Sequence, residues 1–316
     1  MTYRRSRTAF TSAFILLICG SRAVWADTSV TATAGKDEIH VANACVSESW
    51  SVSDGHFKPT ELTDILSGLK VPLKQEAFTV NCGKRKLKAS EMKLVKAPEV
   101  IALAADPKAS RLSEQVAGQQ VVVELESTDG DVQATYKIIV REGTNYIRQE
   151  LTLHPLKADL AVSRIILVDL PLRFPTVAGP ITLKGAPVVS GNFFCGFEHP
   201  LSDNMVGAYM NDSGHAEGSL ERKTPIPAGQ SFVCSAVVGV ARDGQMRRDF
   251  GAYLEHERAH PYRPFLHYNS WYDIGYFSRF DEAAALDVVN AFGTELVKKR
   301  GVVLSSFLFD DGWDDP

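Results

Sequence analysis

Two clusters of acidic, amide and aromatic residues near the C-terminal end have the composition of a polyol-holding surface: Asn269-Ser270-Trp271-Tyr272-Asp273 and Asp310-Asp311-Gly312-Trp313-Asp314-Asp315. Adjacent carboxylates repel each other and resist desolvation, so the Asp310-Asp311 pair that closes an apolar run needs partners. Sugar hydroxyls are suitable partners, and a Trp face covers the apolar C–H side of a pyranose ring. The plainer alternative is a helix cap at Asp310 followed by a solvated acidic loop. A third constellation, His256-Glu257-Arg258-Ala259-His260, matches the H-E-x-x-H pattern in which two His one helical turn apart hold zinc and the Glu activates water. Pro261 biases His260 out of the α region and the neighbours are polar. The expected reading is therefore a solvated linker helix, with a zinc metalloprotease as a remote alternative. Neither G-x-S-x-G nor a phosphate-cradling Gly loop occurs, and no metal or cofactor site is expected.

The elements that would position these clusters change character along the chain. From Asp27 to about Ala241 the sequence reads as β-runs separated by turn residues, clearest between Gln119 and Pro155, where Asp129-Gly130 and Gly143 with Asn145 break three such runs. Gly and Asn supply the positive φ of tight hairpins, so an antiparallel meander is expected, and many strands with no long helix between them point to a two-sheet sandwich. Trp50, on an alternating run, belongs to its core. A helix is expected between Gln245 and Glu257, stopped by Pro261 and Pro264. Beyond it, Ala285, Val289, Phe292 and Leu296 form one helical stripe, with Ser278 or Asp281 as cap and Lys298, Lys299 and Arg300 before Gly301 at the far end. The run Val302–Asp311 is almost wholly apolar until its acids, as a strand buried on both faces would be. Strand, helix and strand here make a βαβ unit with parallel strands. The two acidic clusters then fall at the C-terminal ends of those strands, where a parallel barrel places its functional groups.

Residues 1–26 carry Arg4, Arg5 and Arg7, an apolar stretch from Ala13 to Cys19, and small residues before Asp27. This is the layout of a signal peptide cut after Ala26, which makes the protein secreted or periplasmic and free of the membrane after cleavage. Among the 316 residues, 45% are hydrophobic and 23% charged, as in globular proteins. Loss of the leader removes four arginines and no acid, so 30 basic residues face 38 acidic ones, and nothing draws the chain toward nucleic acid. It also leaves Cys45, Cys82, Cys195 and Cys234, an even number compatible with two disulfides in an exported protein. Pairing of sequence neighbours, Cys45 with Cys82 and Cys195 with Cys234, is one of three connectivities; four buried free thiols are the alternative.

The phrase HYNSW at 267–271, followed about forty residues later by FLFDDGWDD at 307–315, resembles the opening of the catalytic barrel in melibiase-type alpha-galactosidases, glycoside hydrolase clan D (family 36/27-like). The resemblance implies a mainly β protein with a C-terminal α/β piece. It would comprise a galactose-mutarotase-like β-sandwich at 27–243, a linker helix at 244–262, and the first βαβ unit of an incomplete (β/α)8 barrel at 263–316. It implies retaining hydrolysis of terminal α-galactosides, a galactoside-type glycan as partner, Trp271 lining the galactose pocket, Asp310 and Asp311 holding sugar hydroxyls, and Trp313 as a pocket wall. A retaining glycosidase needs two carboxyl groups about 5 Å apart across the scissile bond. In this family they lie on later strands, which nothing in the chain matches. The chain then reads as an N-terminal portion with no catalytic residue, inactive alone. The competing reading is a non-catalytic secreted sandwich that binds carbohydrate or protein.

Overall fold

The structure, a computed structural model, describes residues 29–179, 183–208, 214–275 and 278–314. The expected signal peptide lies outside the described residues. The chain divides into two units, Met1–His260 and Pro261–Pro316.

The first unit is a β-sandwich built on local hairpins. Gly130 and Gly143 take φ of +65° and +69°, which reverses the chain between the strands Gly118–Glu126, Val132–Arg141 and Tyr146–Pro155. Along Val132–Arg141 buried residues alternate with half-buried or exposed ones, the period-2 signature of one covered face. These strands are the centre of a nine-stranded antiparallel sheet that continues through Phe232–Val240 and Phe193–Phe197. Two five-stranded sheets complete the unit. One is the meander from Thr31–Ala34 to Leu69–Pro72; the other contains Asp203–Ala208, Gly214–Glu221, Arg164–Leu170, Thr79–Cys82 and Arg85–Lys88. One apolar core draws on all three sheets, with Trp50, Tyr136, Phe57 and Phe78 fully buried in it. Arg164–Leu170 does not extend the neighbouring meander, as its sequence position suggests, but pairs with Thr79–Cys82 and Gly214–Glu221.

Helix α1 (Met246–Glu257) is docked rather than solvated. Phe250 and Tyr253 pack on Phe194 and Tyr146 of the large sheet, with ring centroids 4.9–5.7 Å apart. Asp249 is fully buried and accepts from the backbone N–H and the guanidinium of Arg242, which pins the first turn. Because α1 ends at Glu257, His260 lies outside the helix and cannot stand one turn above His256. Glu257 is held by the Tyr146 hydroxyl, which donates to it at 2.7 Å. The zinc-protease geometry is therefore not formed. Among the described residues no group of three or more His, Cys, Asp or Glu could hold a metal ion, and no helix is long and apolar enough to cross a membrane.

The expected disulfides are corrected: Cys45, Cys82, Cys195 and Cys234 are free thiols. Cys195 lies opposite Val238 on the neighbouring strand, four residues along from Cys234. At about 3.4 Å per residue that offset is roughly 14 Å, well beyond the ~7 Å limit for Cα atoms of a disulfide. Cys45 precedes the strand Val46–Ser51 in one five-stranded sheet, whereas Cys82 ends Thr79–Cys82 in the other.

The second unit is a βαβ element. Strands His267–Asn269 and Ser306–Leu308 pair in parallel, joined through α2 (Glu282–Phe292). Asp281 is the cap, its carboxylate accepting from the Ala284 N–H at 2.9 Å, whereas the Ser278 hydroxyl donates to the Ile274 carbonyl. The expected stripe residues Ala285, Val289, Phe292 and Leu296 are half-buried, the most buried position of α2 is Val288 beside them, and Gly301, at φ +67°, ends the helical run that follows α2. Ser306–Leu308 is not buried on both faces: Val303 before it is 83% exposed and Leu308 44%.

Candidate functional site

Because the two strands of the second unit are parallel, their C-terminal ends lie on the same side, and each delivers one of the acidic clusters there. The first strand turns sharply at Ser270–Tyr272, where the Asn269 side chain accepts from the Trp271 N–H at 2.8 Å. Ser270 is fully buried and ties the two ends together. Its hydroxyl accepts from the Asp310 N–H at 2.8 Å, and its carbonyl accepts from the Asp273 and Gly275 N–H groups at 3.0 and 2.8 Å.

Under this turn sits an aromatic cluster. Tyr268 packs edge-on against Phe292 and at a tilt against Phe307 and Phe309, at centroid distances of 5.0, 5.7 and 5.9 Å. Its hydroxyl donates to Asp273 at 2.8 Å, and burial together with that carboxylate pushes its pKa up to about 12. Asp273 is thus engaged with the turn itself.

Above the turn is a hollow of about 400 Å³ lined by Trp271, Gly275, Ser278, Arg279, Asp311, Gly312 and Asp314. The two glycines let the backbones close around it. A Cβ on Gly275 would stand 3.0 Å from the Asp311 carbonyl, and one on Gly312 would meet the Ser278 carbonyl at 2.6 Å with φ already at +111°.

Of the residues expected at a site, Trp271 and Asp311 line this hollow. Asp310 lies beside it: its N–H is taken by Ser270 and its carboxylate accepts from the Asp311 N–H at 2.9 Å. Trp313, expected as a wall, is 68% exposed and is not among the residues that line this hollow. Asp315 lies outside the described residues. Gly275 and Arg279 were not anticipated, while Ser270 entered the first cluster without a role of its own and Ser278 only as a helix cap. The spacing of Gly275 after Ser270 was the available signal, but its meaning depends on a backbone approach forty residues along the chain.

The hollow offers half-buried indole, exposed carboxylates and a guanidinium, a set able to cover a sugar ring and accept from its hydroxyls. Both of its carboxylates, Asp311 and Asp314, belong to one four-residue stretch. That placement suits holding hydroxyls, not attack on a glycosidic bond from two opposite faces.

No protein-family model and no curated protein matches the chain. Solved structures do. The alpha-galactosidase from Lactobacillus brevis superposes with a TM-score of 0.56 at 11% identity, over 88% of this chain and 49% of its own. The GH36 alpha-galactosidase AgaA from Geobacillus stearothermophilus gives 0.54 at 11%, over 88% and 50%. The galactosidase domain of the alpha-galactosidase-sucrose kinase AgaSK gives 0.52 at 11%, over 84% and 50%. The chain spans about half the length of these structures, and what it shares with them is the fold, that of a mainly β protein.

Proposed function

We propose that the chain is the sugar-holding portion of a secreted glycoside hydrolase of the alpha-galactosidase type. The observation that carries the reading is that Trp271 and Asp311, delivered by two parallel strands, line one hollow. Trp271 covers the apolar face of the ring, and Asp311, with Asp310 beside it, accepts from sugar hydroxyls. The similarity in fold to alpha-galactosidases supports a terminal α-galactoside as the ligand class, and the N-terminal leader pattern supports a place outside the cytoplasm. The opposed pair of carboxyl groups that retaining hydrolysis needs is not assigned to any residue of this chain, so its role is binding, and hydrolysis by the chain alone is not expected.

Calorimetric titration of the chain with methyl α-galactoside tests the reading, alongside Trp271→Ala and Asp311→Asn. Saturable binding that each substitution weakens about tenfold or more, or about 1.4 kcal/mol, is the expected result. Absence of binding, or binding indifferent to Trp271→Ala, overturns it. Hydrolysis of a chromogenic α-galactoside by the chain would overturn the assignment of the aspartates to holding alone.

A further inference from the structure

The sandwich carries hollows of its own, lined by residues of the first unit. On the outer face of the nine-stranded sheet three hollows adjoin through shared residues. The middle one, about 400 Å³, is lined by Arg148, Glu198, Ser235, Tyr253, Leu254 and Glu257, among others. It shares Arg111, Arg148 and Glu257 with a polar hollow of about 220 Å³ that reaches Gln120, Lys137 and Glu150. It shares Glu198, Tyr253 and Leu254 with a more apolar one of about 200 Å³ that reaches Phe197, Pro200 and Phe250. Together they form a groove across five neighbouring strands, from Gly118–Glu126 to Phe193–Phe197. At about 4.8 Å between strands, that is roughly 19 Å long.

The groove's polar groups are fixed before any ligand arrives. Arg148, Glu198 and Glu257 have side chains only 17%, 14% and 12% exposed. Arg148 Nε donates to Glu198 at 2.6 Å and its terminal nitrogen to the Ser235 hydroxyl at 2.9 Å. The Tyr253 hydroxyl donates to the other Glu198 oxygen at 2.7 Å, and Tyr146 does the same for Glu257. Burial and the adjoining carboxylates hold both phenols protonated, well above the ordinary tyrosine range. Lys137 completes the row with a 2.9 Å bond to Glu150. Positive and negative groups are interleaved, so neither a polyanion nor a polycation gains from the whole length of the groove. A chain of hydroxyls does, because each can donate to a positioned carboxylate or accept from a positioned guanidinium without bringing a charge of its own. The apolar end supplies cover for C–H faces.

We infer that this groove binds a neutral oligosaccharide chain, as a carbohydrate-binding site of the sandwich distinct from the hollow at Trp271. The test is a calorimetric titration of the full chain carrying Trp271→Ala, which silences the first site, with stachyose, cellotetraose and maltotetraose as probes and tetragalacturonate as the charged control. Saturable binding of at least one neutral tetrasaccharide, weakened about tenfold by the additional change Leu254→Arg, is expected. Leu254 is exposed and lies where the middle and apolar hollows meet, so this change leaves the fold intact, which circular dichroism checks. No binding by any neutral probe, binding unaffected by Leu254→Arg, or preference for tetragalacturonate would each overturn the inference. Because the Trp271→Ala chain is measured separately, failure here leaves the α-galactoside reading to its own test.

Discussion

Glu48 stands on the strand Val46–Ser51 with 3% of its surface exposed, in the sandwich core beside Tyr136, Leu73 and Leu167. One partner is present: Gln149 donates to it at 2.9 Å. Burial pushes its carboxyl from the ordinary 4.5 up to about 8, and the Gln149 bond offsets only part of that. The folded protein thus keeps Glu48 protonated where the unfolded chain ionises it. The stability this contributes is complete below pH 4.5, erodes as pH rises, and is gone above about 8. At 1.36 kcal/mol per pH unit the withdrawal amounts to about 5 kcal/mol, against a total stability of typically 5–15 kcal/mol. Glu48→Gln keeps the shape and the acceptor for Gln149 but cannot ionise. Urea unfolding of both proteins at pH 5, 6, 7 and 8 should show the variant gaining on the parent by about 1.4 kcal/mol per pH unit, then levelling. A fixed offset of about 1–2 kcal/mol from the new amide leaves that slope untouched. Parallel profiles across the range would refute a protonated Glu48 in the core.

Other consequences are open to simple assays. Reducing agent should leave the thermal midpoint unchanged, and a thiol reagent should react slowly with the native chain, because burial pushes Cys195 and Cys234 up to about 12 and Cys82 to about 11; a midpoint that falls on reduction would restore the disulfides. Asp249→Ala removes the buried acceptor that ties the Arg242 N–H and guanidinium to the first turn of α1, and should cost roughly 1–2 kcal/mol in urea unfolding, because the Arg242 side chain is left in contact with water, with α1 losing amide protection first. Gly312→Ala forces a Cβ to 2.6 Å from the Ser278 carbonyl, and should cost about 1–3 kcal/mol of backbone strain and weaken α-galactoside binding; unchanged affinity would separate that loop from the site.

How much of this was legible depends on the range of the signal. The hairpins at Gly130 and Gly143 could be read because turn and strands lie within a few residues. The pairing of Arg164–Leu170 with Thr79–Cys82 could not, since nothing local distinguishes it from one more strand of the adjacent meander. Helix α1 was legible as a helix but not as a docked one. Arg247, Arg248, Glu255 and His256 give it a solvated look, while two aromatics three residues apart, Phe250 and Tyr253, suffice to bury a face. An even cysteine count carries no register, and register decides whether sulfurs can meet. At the site, residue types pointed to Trp271 and Asp311. The buried hydroxyl of Ser270 that joins their strands has no sequence signature, because its partner is a backbone N–H forty residues away.

That join explains how so small a parallel element can present a shaped hollow. Parallel strands normally owe their order to cover on both faces, yet Leu308 and Val303 are exposed here, as is Leu286 on α2. Order at the strand ends must come from elsewhere. The ring cluster of Tyr268, Phe292, Phe307 and Phe309 spans both strands and α2, each aromatic pair contributing about 0.5–1.5 kcal/mol beyond its buried area. The Ser270 bond then sets the Asp310-Asp311 segment against the Trp271 turn. Trp271 and Asp311 are therefore positioned by contacts that lie behind the hollow, an arrangement that suits a ligand rich in hydroxyls.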